Sequence, residues 1–137
     1  MDLARVMKIA VAGLDAQSMR LKTVSENLAN ADSTANTPGG TPYRRQIVTF
    51  SDVFDRTLGV KKVKVSGVVQ APGDFGKKYE PGHPAADADG YVLTPNVNPI
   101  TELMDMREAQ RSYEANLNVI DAVKSMVSRT IDLLHNT

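Results

Sequence analysis

The stretch from Pro99 to Leu134 contains no glycine and no second proline. The residues that most strongly break a helix are therefore missing from it. At ~1.5 Å rise per residue, a helix over this span is a rod of roughly 54 Å. Typical globular helices run only ~8–20 residues. Asn98 is the expected N-cap, and Pro99 falls at the first helical position, where its missing N–H costs nothing. Glu102 and Asp105 then lie near the positive end of the helix dipole. In a chain of 137 residues a rod of this length has to be covered by the rest of the chain or by a neighbour.

In heptads the rod carries two seams. The first is Leu103, Met106, Gln110, Tyr113, Leu117, Ile120, Lys124, Val127, Ile131 and Leu134, in alternating steps of three and four. The second is Ala109, Ser112, Asn116, Val119, Val123, Met126, Thr130 and Leu133. A two-stranded coiled coil needs one such seam. Two adjacent seams imply more than one neighbour, unless they merge into a single wide core face of a globular bundle. The rest of the chain has too little helix to cover both.

The other helical segment is Leu3 to Ala31. Its heptad positions are Leu3, Met7, Ala10, Leu14, Gln17, Leu21, Val24, Leu28 and Ala31. Asp2 is its expected N-cap. Alanines at 4, 10, 12, 16, 29 and 31 favour helix and permit close approach, and Gly13 marks a tight contact.

Between the helices the composition changes. Residues 32–42 are a loop of Asp, Ser, Thr, Asn, Pro and Gly that turns at Pro38-Gly39-Gly40. Tyr43 to Phe50 is an expected strand, and Ser51 to Leu58 is ambiguous between a short helix and a loop. Val60 to Val69 alternates, with Val63, Val65, Gly67 and Val69 on one side and Lys62, Lys64 and Ser66 on the other. Lysines on such a strand guard an edge. Residues 71–98 read as an ordered irregular loop with one short strand near Tyr91–Leu93. The expected fold is mainly α. N- and C-terminal helices form an antiparallel coiled-coil pair, with a small β and irregular insertion between them. The expected division is 1–32, 33–98 and 99–137.

Composition narrows the chemistry. Basic and acidic residues balance at 16 each, so general affinity for nucleic acid or an anionic membrane is not indicated. Cysteine is absent, which removes disulfides, thiol catalysis and Cys-based zinc sites. Aromatic residues are sparse at 5% and tryptophan is absent, which disfavours a large aromatic-lined ligand pocket. No apolar run reaches the ~18 residues that a membrane span requires. The N-terminus lacks the basic and apolar regions of a classical secretory signal. His83, Asp87 and Asp89 fall close together, but the third ligand and terminal Glu of a calcium loop are missing. Turn chemistry accounts for them more simply. There is no Gly-x-Ser-x-Gly elbow and no Walker loop.

Three stretches resemble one family. Ser25-Glu26-Asn27-Leu28-Ala29-Asn30-Ala31-Asp32, followed by Pro42-Tyr43-Arg44, is similar to the N-terminal signature of bacterial flagellar axial proteins. Arg111-Ser112-Tyr113-Glu114-Ala115-Asn116, followed by Lys124-Ser125-Met126, is similar to their C-terminal signature. Tyr79–Pro84, Ala86–Val92 and Pro95–Val97 resemble a segment of the proximal-rod members. The resemblance implies a non-enzymatic structural subunit of the rod that crosses the periplasm. It implies export through the flagellum's own type III gate without a cleaved signal, and polymerisation through terminal helices packed as an inner tube. The implied partners are further copies, other rod subunits, and adjoining basal-body and export-gate components. No cofactor, metal, nucleic acid or small-molecule substrate is implied, and no membrane span. The expected subunit contacts are Leu14, Leu21, Asn27, Leu28, Asn30, Tyr113, Asn116, Val119, Ile120, Val123, Met126, Val127 and Leu133. Two other classes compete. One is a soluble coiled-coil adaptor or export chaperone, which would form a discrete dimer with ordered ends. The other is a small metal-dependent enzyme built on His83, Asp87 and Asp89.

Overall fold

The computed structural model describes residues 2–137. The elements run α1 (Leu3–Ala29), β1 (Gln46–Asp55), β2 (Val60–Gln70), β3 (Gly76–Tyr79), β4 (Tyr91–Thr94) and α2 (Pro99–His135). Both helices start where side chains satisfy the first free N–H groups. The Asp2 carboxylate accepts from the Ala4 N–H at 3.1 Å, and Asn98 Oδ1 accepts from Ile100 and Thr101. At the other end of α1, the Asn30 side chain donates back to the Glu26 carbonyl at 2.8 Å, and the chain leaves the helix there.

The fold is mixed α/β, which overturns the expected mainly α fold built on a coiled-coil pair. Two antiparallel two-stranded sheets accompany the helices, β1 with β2 and β3 with β4. The sequence reading underweighted strand at two places. Ser51 to Asp55 is strand, so β1 runs ten residues, and Gly76 to Tyr79 pairs with Tyr91 to Thr94. The β1–β2 turn is made by Asp55 and Gly59. The Asp55 carboxylate accepts from the N–H groups of Thr57 and Leu58, while Gly59 takes φ +65°, a conformation that favours glycine.

A bulge also changes the faces of the hairpin. Thr49 lies opposite Gly67, but Phe50 lies opposite Val65, so Ser66 is the extra residue. Because side chains alternate with period two, one inserted residue moves everything beyond it to the other face. Val63 and Val65 therefore share a face with Phe50 and Phe54, whereas Gly67 and Val69 share the opposite one with Thr49 and Ile47. The expectation that these four β2 positions line one side is corrected accordingly.

The helices pack antiparallel. Asn27 meets Glu102, Arg20 meets Asp105 and Glu108, and Gly13 meets Asn116. The contact is not a coiled-coil seam of large apolar residues. On α1 the buried positions are Ala10, Gly13, Ala16, Thr23, Val24 and Asn27, and on α2 they are Glu102, Ala109, Ile120 and Val123. Small side chains let the two backbones approach closely, and Gly13 is needed for it. A Cβ there would stand 2.7 Å from the Asn116 side chain.

Candidate functional site

The face of α2 that meets α1 follows the line 102, 106, 109, 113, 116, 120 and 123, which runs between the two predicted seams. Large apolar residues on either side of it stay uncovered. Leu103 is 50% exposed, Met126 54%, Ile131 52%, and Leu133 and Leu134 more than 70%. Leu117, Val119 and Val127 are also exposed. Every residue after Val123 is exposed. Roughly three helical turns, at 3.6 residues each, are therefore left largely uncovered by the described residues.

The expected contact residues divide on this basis. Val119, Met126, Val127 and Leu133 are exposed on α2. Leu14, Leu21, Leu28, Asn30, Tyr113 and Asn116 are half-buried. Asn27, Ile120 and Val123 are covered by their own chain. The sequence pattern did not separate these sets, because residues that meet a neighbour look as apolar as residues of the core.

A polar cluster sits where α1, the root of the β1–β2 hairpin and the start of α2 converge. Asn27 Nδ2 donates to the Gln46 carbonyl at 2.9 Å and to Glu102 Oε2 at 3.2 Å. Asn27 Oδ1 accepts from the Tyr43 hydroxyl at 2.7 Å and from the Gln46 N–H at 2.9 Å. Arg45 donates to Glu102 and, through its other nitrogen, to Asp105 at 3.2 Å. Glu102 is fully buried. Burial raises the Tyr43 pKa, and the Glu26 and Glu102 carboxylates add to the rise. Sequence reasoning named Asn27 as a subunit contact rather than as part of this cluster, missed Arg45, and took Glu102 only as a dipole partner. The available signal was a carboxylate on the α1-facing line of α2, where a partner is obligatory.

The clefts hold mostly paired polar groups. One, lined by Asp32, Thr34, Lys78, Glu80 and His83, has Lys78 paired to Glu80 at 2.6 Å and Thr34 bonded to His83 at 3.1 Å. His83 Nδ1 accepts from the Ala85 N–H, and Asp87 Oδ1 accepts from Asp89 and Tyr91. His83 and Asp87 thus serve the loop that leads into β4. A second cleft, about 620 Å³, separates Ala12, Ala16 and Met19 of α1 from Val53, Val63 and Val65 of the hairpin.

Residues 7–39 match the family described as flagella basal body rod protein, and residues 88–133 match the flagellar basal body rod FlgEFG protein C-terminal family. A flagellar basal-body rod protein FlgC from Agrobacterium fabrum is 54% identical, over 96% of this chain and 95% of its own. The chain belongs to the FlgC family of flagellar basal-body rod proteins. FlgC of Salmonella typhimurium is 42% identical over 97% of this chain and 98% of its own, and FlgC of Borreliella burgdorferi is 37% identical over 98% and 99%. FlgC membership makes this chain a structural subunit of the basal-body rod and gives no support to the adaptor or chaperone alternative. No described helix is long and apolar enough to cross a membrane.

Proposed function

We propose that the chain polymerises through its terminal helices into the proximal part of the rod, the shaft that carries torque from the motor towards the hook and filament. In this reading residues 1–32 and 99–137 form the inner, axial part, and residues 33–98 form an outer module. Neighbouring copies and other rod subunits cover the flanks of α2. Delivery through the flagellar type III gate without cleavage keeps α1 intact as the partner of α2.

The observation that carries the proposal is the uncovered end of α2. A helix whose last turns expose Val127, Ile131, Leu133 and Leu134 has an apolar surface that a neighbour would bury. Each aliphatic side chain covered contributes ~1.5–3 kcal/mol, and in a polymer the term recurs at every subunit. Ile131→Asp tests it. The variant is expected to keep the parent's helix content as a monomer, while cells carrying it lose motility and their basal bodies lack a complete rod. Normal rods containing Ile131→Asp subunits would show that this surface faces solvent in the assembly.

A further inference from the structure

Glu102 is fully buried where α1, the root of the β1–β2 hairpin and the start of α2 meet. No residue of β1 or β2 is buried. Both strands of the hairpin run close to α1, and a cleft opens between them only at Ala12, Ala16 and Met19 on one side and Val53, Val63 and Val65 on the other. Among the described residues, α2 makes no backbone-level contact with either strand. Its reach to the hairpin root is the pairing of Glu102 and Asp105 with Arg45. On its far side the root is anchored separately. The Ala71 N–H donates to the Arg45 carbonyl at 2.8 Å, Arg44 donates to the carbonyls of Ala71 and Gly73, and Asn96 Oδ1 accepts from the Arg45 N–H.

We propose that Asn27, Glu102 and Arg45 form a two-state latch. Closed, it docks the β1–β2 hairpin on the helix pair. Open, the hairpin pivots as a unit about its root at 44–45 and 71 while α1 and α2 stay paired. The two-state character follows from burial. A carboxylate removed from water must keep its cation or become solvated, and intermediate positions leave it with neither. Docking is then all-or-none rather than a graded loosening. The bonds within the hairpin and those on the far side of the root do not involve Glu102, so opening leaves them intact.

The test uses the full chain with spin labels at Thr57, in the hairpin turn, and at Lys8, exposed on α1. A control pair on Lys22 and Arg107 reports the helix pairing. The parent is expected to give one narrow Thr57–Lys8 distance. Glu102→Gln keeps the side-chain shape but removes the charge that holds Arg45. It is expected to add a second distance population and to speed exchange of the Gln46 amide, which Asn27 Oδ1 caps, about tenfold. Exchange in the rest of the β1–β2 ladder and the Lys22–Arg107 distance stay as in the parent. Arg45→Lys in the otherwise unchanged chain retains a cation for Glu102 and is expected to keep the single distance. A single Thr57–Lys8 distance in Glu102→Gln overturns the latch. So does a split Lys22–Arg107 distance or loss of helix content, because the cluster would then hold the helices rather than the hairpin.

Discussion

Asn27 uses its two amide protons and both acceptor positions at one junction, bonding Gln46 twice, Tyr43 and Glu102. Its neighbours decide what each substitution does. Tyr43→Phe removes one donor while the Gln46 N–H still serves Asn27 Oδ1, so a loss of about 1 kcal/mol is expected. The pH dependence has a definite sign. Because the folded pKa of Tyr43 is raised, its contribution is full below the ordinary phenol value of ~10 and is lost as pH rises through the folded value. Denaturant unfolding of parent and Tyr43→Phe should therefore differ at neutral pH and converge above that window. Gly13→Val places its Cβ against the Asn116 amide, and overpacking of this kind costs about 1–3 kcal/mol. Gly13→Ala should be milder, because better helix propensity returns about 1 kcal/mol. Thermal unfolding of the two variants checks the order. Gly13 was legible in the sequence as a close approach. Asn116, which was expected to meet another subunit, is half-buried beside it.

Helix ends were more legible than strand ends, for a physical reason. Asn98, Pro99 and Asp2 act locally, through their own side chains and the first turn, so a reader needs no tertiary information to place them. The hairpin depends on pairing between segments. Ser51 to Asp55 has no strong strand signal of its own, yet it is held by β2, with Asp52 opposite Val63 and Asp55 opposite Val60. The Ser66 bulge likewise cannot be read from an alternation that looks continuous. Two ion pairs brace this end, Lys61 to Asp52 at 2.8 Å and Lys62 to Asp55 at 2.9 Å. The lysine hydrogen bonds hold both aspartates below their ordinary pKa. A depressed folded pKa gives stability that is present above the unfolded carboxylate value near ~4 and lost as pH falls through the folded value. Cross-strand proton contacts between Val53 and Lys62 should thus weaken on acidification below that range, while contacts nearer the root persist. Lys61→Ala should return the Asp52 titration, followed by carboxyl carbon shifts, towards the ordinary value. Exposed pairs contribute little, so global stability should barely change.

At the scale of the molecule, heptad reading found the apolar stripes of α2, but the α1-facing line takes Met106, Tyr113 and Ile120 from one and Ala109, Asn116 and Val123 from the other. Close packing at Gly13, Ala10 and Ala16 admits Glu102, Ala109 and Asn116 beside Met106, Tyr113, Ile120 and Val123 on the α1-facing line, while the leucines of α2 lie off it. In a subunit built for a polymer, hydrophobicity marks everything eventually covered, not what one chain covers alone. This distinction separates two substitutions that the sequence treats alike. Val123 is 4% exposed and packs within the helix pair, whereas Leu117, on the same helix, is 38% exposed. An aspartate at 123 would bury a charge without a partner, which folding cannot accommodate cheaply. Val123→Asp is therefore expected to unfold or unpair the helices of the isolated monomer by several kcal/mol, seen as lost helix content and earlier melting. Leu117→Asp should leave the monomer's melting close to the parent and act only on rod assembly, scored by motility and by the composition of purified basal bodies. A stable Val123→Asp monomer would mean that α1 and α2 do not pack in this register outside the rod. Equal destabilisation by Leu117→Asp would mean that the exposed flank is already covered within the monomer.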